Sequence, residues 1–398
     1  MGWSKHGAGI AAHHLLMRIG YFLYDEGYSG VIDSQALDVV RFYNDQTHHN
    51  AVLIASLPFR THRTVLTKFK ESLPESVISM ISLPQKLQPI LFTIETVRLS
   101  ALIKKSQVDV LICRNAIACF TALAAKAFYT GEKFPQICYD GRGALMAEAC
   151  EFDVYPQYLK RFLLRAERAA VLNADYRIAV TEELVEWWRS EYGYAGNRHS
   201  IIPTTLSTRA EQFDPGPSRP IWRKRFGFTP EDLVLAFAGG KADWQGLDYW
   251  LPMMHEWLEN IPNLKLLLLA PPHPEIVRLT DSFPNRIINT FVSHGEVLQA
   301  LAAADHGVMW RENNITNKVA SPTKFSEYLQ AGLNIITNDG TATGRLVRTL
   351  QLGICIDPHY ESQYSDILKR SKQKNSQSPP TKDRFYTSLA KKIRCHHN

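Results

Sequence analysis

The chain has 398 residues, 45% of them hydrophobic and 21% charged, an ordinary globular composition at a length that favours two domains, since one core rarely grows past about 250–300 residues. Disordered, collagen-like and disulfide-scaffold classes are excluded. The net charge of +6 is concentrated in residues 359–398, which hold nine basic and three acidic side chains and leave 36 of each sign elsewhere. The balanced body argues against nucleic-acid binding, and the basic tail suits either plain solvation or an anionic membrane surface.

In chain order, residues 1–16 show no apolar run with a small-residue cleavage site and read as an extension rather than a signal peptide. Residues 18–24 (RIGYFLY) form a β-rich run, followed by a turn at 27–30 and by Ile32, Ala36, Val39, Val40 and Tyr43, which share one helical face. Further strands are expected at 51–57, 108–113, 136–139 and 176–180, separated by helical stretches. The segment 203–220, with Pro203, Pro215, Pro217 and Pro220, reads as an interdomain linker. The second half repeats the rhythm, with strands at 233–238, 265–269, 287–292, 307–310 and 334–337 and helices at 247–258, 274–282, 296–304 and 321–331. An irregular zone at 359–382 precedes a short terminal helix.

Alternating βα units imply parallel sheets with sites at the carboxyl ends of strands. The expected fold is therefore α/β, two Rossmann-like domains facing each other across a cleft. The expected divisions are 1–16, 17–202, 203–220, 221–358 and 359–398. Cys113, Cys119, Cys138, Cys150, Cys355 and Cys395 show no metal-ligand spacing and read as reduced thiols of a cytoplasmic protein. The longest uncharged apolar stretches, such as 115–125, fall short of the ~20 residues that cross a bilayer.

The most informative segment is 321–332 (SPTKFSEYLQAG). Ser321 is the expected N-cap and Pro322 the first helical residue, with Phe325, Tyr328 and Leu329 on the buried face. Lys324 and Glu327 lie three apart on another face. A lysine in the first turn opposes the helix macrodipole, so either a phosphate sits before it or Lys324 simply pairs with Glu327. Gly239, Gly240 and Lys241 at the end of the 233–238 strand would let backbone and a cation approach a ligand. Asp140 and Arg142 follow another strand end and either serve an acceptor or form an internal ion pair. Arg114 has the same choice. Trp187 and Trp188 read as core or rim.

These segments, together with Trp244-Gln245-Gly246, 292–297, 301–305 and 321–340 (SPTKFSEYLQAGLNIITNDG) in the second half and 27–30, 139–143, 174–181 and 201–203 in the first, resemble the GT-B glycosyltransferases, and most nearly glycosyltransferase family 4, the retaining group 1 transferases. The resemblance spans about residues 17–357. It implies sugar transfer from a nucleotide diphosphate sugar to a sugar or lipid-linked hydroxyl acceptor, without a metal or other cofactor. Such a protein would sit in the cytoplasm or against the inner face of a membrane, in glycan or glycolipid assembly.

The same resemblance gives Glu327 to the ribose hydroxyls and Lys324 to the diphosphate. Gly239, Gly240, Lys241, Ser321 and Thr323 would line the donor phosphates, and His294 and Glu296 the base. Gly30, Arg114, Asp140 and Arg142 would meet the acceptor, with Asp140, Lys324 and Glu327 as the catalytic set. Two departures stand out: the position eight residues before Glu327, a glutamate in most of the family, is Val319, and Gln245 replaces a common lysine. A nucleotide-sugar epimerase of the same fold and a non-catalytic partner subunit are the alternatives.

Overall fold

The computed structural model describes residues 16–82, 88–153, 155–239, 247–356 and 379–395. Seven strands, β1 (Arg18–Tyr24), β2 (Asn50–Pro58), β3 (Val77–Ser82), β4 (Val110–Arg114), β5 (Gln136–Gly141), β6 (Tyr176–Ala179) and β7 (His199–Ile201), make one sheet in the order β3-β2-β1-β4-β5-β6-β7. Six more, β8 (Leu233–Ala238), β9 (Leu264–Leu269), β10 (Ile287–Asn289), β11 (His306–Met309), β12 (Asn334–Asn338) and β13 (Gly353–Ile356), make a second in the order β10-β9-β8-β11-β12-β13. Every strand pair is parallel. The central strands are nearly continuous runs of buried residues, as RIGYFLY and LVLAFA show, because helices cover both faces of each sheet.

Strand order reverses between β1 and β4 in the first sheet and between β8 and β11 in the second. At such switch points the connecting helices diverge to opposite faces and leave a crevice outside the strands' carboxyl ends. The loops after β1, β4, β8 and β11 are therefore the ones that matter for a ligand.

Three strands, β3, β7 and β13, were not expected from the sequence. They are edge or near-edge strands: β3 and β13 are only partly buried and β7 has three residues, so none carries a clear apolar run. Strand β10 ends at Asn289 rather than at 292, where the Asn289 amide donates to the Leu268 and Ala270 carbonyls and closes the ladder. The proline-rich connection holds two helices, Thr208–Glu211 and Pro215–Phe226. Asp214 caps the longer one and Pro215 occupies its first turn, where a missing N–H costs nothing.

The terminal helix, Lys382–Cys395, returns to the first sheet, and its Tyr386, Leu389 and Ile393 join that sheet's core. This corrects the solvated-tail reading for Lys382, which is 1% exposed and sits 3.0 Å from Asp38. Burial raises the Asp38 carboxyl, but Lys382 and the Thr208 N–H more than offset it and hold the group below its usual range. Lys369, Arg370, Lys372 and Lys374 lie outside the described residues. Trp188 is fully buried beside Tyr139. Cys113, Cys119, Cys138, Cys150 and Cys355 are free, and no helix among the described residues is long and apolar enough to cross a membrane.

The two halves meet along residues 315–330. Glu151 accepts from the Ile315 and Thr316 N–H groups at 2.8 and 3.0 Å, and Thr181 Oγ1 donates to the Val319 carbonyl. The Thr204 N–H and hydroxyl donate to Ser321 Oγ and the Ser321 carbonyl.

Candidate functional site

The second-half cluster is built on the helix Thr323–Gln330. Its stripe of Phe325, Tyr328 and Leu329 is buried as the periodicity predicts. Tyr328 anchors the helix to the sheet: its hydroxyl accepts from the Ala238 N–H at 3.1 Å and donates to the Val308 carbonyl at 3.2 Å. Gly307 makes this possible, because a Cβ there would lie 2.3 Å from the Tyr328 ring. Tyr328, in the second half of the helix, thus pins it to β8 and β11.

The cap differs from expectation. Pro322 is the N-cap residue, and its side chain has no acceptor with which to cap the helix; the Ser321 hydroxyl instead accepts from the Thr204 N–H of the connecting segment. The first turn presents the positive end of the helix dipole. Lys324 lies over the Phe237 ring at 4.3 Å. Burial and the nearby Arg311 guanidinium push its ammonium down to about 7, against the pull of Glu327.

Arg311 is the residue that the sequence reading missed. It stands two positions beyond β11, at the switch point, and its backbone is clamped by Asn338, which accepts from its N–H at 2.9 Å and donates to its carbonyl at 2.6 Å. Its guanidinium donates to Asn317 Oδ1 at 3.1 Å. Burial lowers it to about 10. Its signal was its position just past a strand end, as with Lys241.

Burial raises the Glu327 carboxyl, with Lys324 and His294 working in the opposite direction. Lys324, Arg311, Glu327 and His294 therefore share one electrostatic neighbourhood. The imidazole of His294 also lies against Gly30 of the first half, so closely that a Cβ at Gly30 would sit 2.5 Å from the ring. Thr323 opens the helix, and Gly239 closes β8 with its N–H on the Leu269 carbonyl. Glu296 is turned to another task, accepting from the Ser293 N–H and hydroxyl and pairing with Arg225 at 3.6 Å. Gly240 and Lys241 lie outside the described residues. Val319, where most of the resembled family carries a carboxylate, is 2% exposed and packs into the first half's core.

On the first-half side the charges are neutralised within the protein. Asp140 is fully buried and accepts from Tyr21 at 2.5 Å and from Arg142 at 2.9 Å, and Arg142 also donates to the Tyr386 hydroxyl at 3.0 Å. Arg114 donates to Gln35 Oε1 at 3.0 Å and lies 3.4 Å from the Glu26 carboxylate. The Asp140–Arg142 pair is thus the internal ion pair that the sequence left as one of two readings. Glu26 and Gln35, which complete this network, were not singled out from the sequence, because neither carries a motif. Among the described residues no group of three His, Cys, Asp or Glu side chains could hold a metal ion.

Residues 252–377 match the family described as glucosyltransferase 3-like, C-terminal domain. A search of curated proteins found no match. Among solved structures, HepE of Anabaena in complex with UDP is 15% identical, with 89% of each chain covered and a TM-score of 0.63. WaaG, a glycosyltransferase involved in lipopolysaccharide biosynthesis, is 14% identical over 95% of this chain and 94% of its own, with a TM-score of 0.61. Sucrose-phosphate synthase of Thermosynechococcus elongatus is 11% identical, with 89% of each chain covered and a TM-score of 0.62. The chain has the GT-B fold and carries a glycosyltransferase domain in its second half. Arg311, Lys324 and Glu327 all belong to that domain.

Proposed function

We propose that this glycosyltransferase moves a sugar, with retention, from a nucleotide diphosphate sugar to a hydroxyl acceptor, and that Arg311, Lys324 and the start of the helix Thr323–Gln330 hold the diphosphate. The observation that carries the reading is the meeting of two partly buried cations at a helix N-terminus. Burial lowers both, and Arg311 lowers Lys324 further; a dianionic diphosphate would offset that cost. Glu327, three residues along the same helix, would accept from the ribose hydroxyls.

The chemistry asks mainly for electrostatic help. As the bond from the anomeric carbon to the diphosphate oxygen breaks, negative charge grows on the leaving group, and fixed cations stabilise it more in the transition state than before. The acceptor oxygen forms its bond on the same face, and its proton passes to the departing phosphate oxygen. Val319 supports this front-face course, because an apolar side chain in the core cannot act as a nucleophile.

HepE binds UDP or UDP-glucose, which favours uridine as the base. The involvement of WaaG in lipopolysaccharide biosynthesis and the basic residues 369–374 favour a lipid-linked acceptor at the inner face of a membrane. Titration calorimetry with UDP and GDP, followed by transfer assays from UDP-sugars to lipid extracts, tests the reading. UDP binding with transfer is expected. Isomerised free nucleotide sugar would make the chain an epimerase, and binding without turnover a partner subunit.

A further inference from the structure

The segment between β1 and the first long helix touches the second half twice, at Gly30 against His294 and at Gln35. Residues Asp33–Leu37 form a π-helical turn, a form that marks functional positions more often than chance. Here it buries four consecutive side chains from Ser34 to Leu37. Gln35 is 5% exposed and joins three elements. Its carbonyl accepts from the Tyr21 hydroxyl at 3.1 Å, its Oε1 accepts from Arg114 at 3.0 Å, and its Nε2 donates to Thr323 Oγ1 at 3.1 Å.

The chemistry fixes the amide's direction. A guanidinium only donates, so Oε1 must face Arg114 and the amide N–H group is left for Thr323. Arg114 is itself held by Glu26 at 3.4 Å, and Tyr21 by Asp140 at 2.5 Å. The buried ionic network of the first half therefore ends in one neutral amide, and that amide grips the first residue of the helix that carries Lys324 and Glu327.

We propose that Gln35 is a positioning residue for sugar transfer, a strap that holds the start of the donor helix in register with the acceptor side of the cleft. The inference rests on the donor site proposed above. Transfer requires the two reacting atoms, carried by different domains, to be placed to within a few tenths of an ångström. A bond across the cleft acts on that relative placement, whereas nucleotide affinity is set by groups within the second half. Loss of Gln35 should thus lower kcat while sparing UDP affinity.

The experiment uses the full chain with Gln35→Leu, Gln35→Glu, Thr323→Val and the double variant Gln35→Leu with Thr323→Val. Gln35→Leu is expected to bind UDP within twofold of wild type while kcat falls about tenfold with little change in donor KM. Gln35→Glu should recover most of the loss, because its carboxylate still accepts from Arg114 and the Thr323 hydroxyl can turn to donate to it. The double variant should be no slower than the slower single one, since both remove one bond. Independent, multiplying losses, or a UDP affinity that falls as far as kcat, would overturn the strap.

Small-angle scattering of nucleotide-free Gln35→Leu tests the same bond without any chemistry. A larger radius of gyration than wild type is expected, and an unchanged one counts against the proposal. If wild type binds neither UDP nor GDP, the donor-site reading fails, and the scattering comparison alone then decides for or against the strap.

Discussion

The two sides of the cleft handle positive charge in opposite ways. In the first half Arg142 is matched by Asp140 and Arg114 by Glu26, in contacts of 2.9 and 3.4 Å. In the second half the Arg311 guanidinium pushes the Lys324 ammonium down, while the Glu327 carboxyl pulls it up. The pKa directions follow: burial lowers Arg142, but Asp140 more than offsets this and raises it, while Arg311 and Lys324 are both lowered. A cation whose partner is built into the protein stabilises the fold. One that is held at a cost near another cation is suited to an anionic ligand.

The largest effect that sharpens this contrast is on stability. Asp140→Asn leaves Arg142 buried without its counter-charge, so unfolding free energy should fall by about 3–5 kcal/mol, read by urea denaturation. UDP affinity of the folded fraction should stay within twofold. A stable Asp140→Asn protein that has lost transfer would break the comparison and return Asp140 to the catalytic set.

Next come the second-half cations, Arg311 and Lys324. Lys324→Ala or Arg311→Ala should cost roughly 1.5–3 kcal/mol of UDP affinity, about tenfold to more than hundredfold in dissociation constant, with folding intact. Wild-type affinity in both variants would move the donor site elsewhere. Glu327→Gln keeps the shape but weakens the acceptor, so calorimetry should show an affinity roughly tenfold lower.

A smaller effect is linked to pH. Lys324 titrates at about 7, and a bound diphosphate favours its charged form and raises that value. Between pH 7 and 8 binding should therefore take up protons, and affinity should weaken as pH rises through this window. Calorimetry in buffers of different ionisation enthalpy measures the uptake, which Lys324→Ala should abolish. The smallest effect belongs to the interdomain pair of half-exposed Arg345 and largely buried Glu183 at 2.6 Å. Arg345→Ala should change unfolding free energy by less than about 1 kcal/mol.

Much of the fold was legible in the sequence because buried parallel strands are nearly continuous apolar runs. Strands β1 and β8 begin and end where RIGYFLY and LVLAFA do. The helix Thr323–Gln330 was equally clear, since its apolar stripe and its misfit lysine are properties of local spacing alone. What the sequence by itself determined was therefore the βα rhythm, the GT-B resemblance and the Lys324–Glu327 pair.

Tertiary structure decided the rest. Whether Asp140 faces a ligand or Arg142 depends on Tyr21, 119 positions from Asp140, and on Tyr386, 244 positions from the Arg142 it accepts from; they meet these groups only through sheet order and the returning terminal helix. Arg311 stood just past a strand end in the sequence, but only the strand order placed it at a switch point. Gln35 gained its role from Arg114 and from Thr323, 288 residues distant. Local spacing fixes which face of an element a residue occupies. Which charge it meets there is set by how distant elements pack, and that pairing separates a structural cation from a binding one.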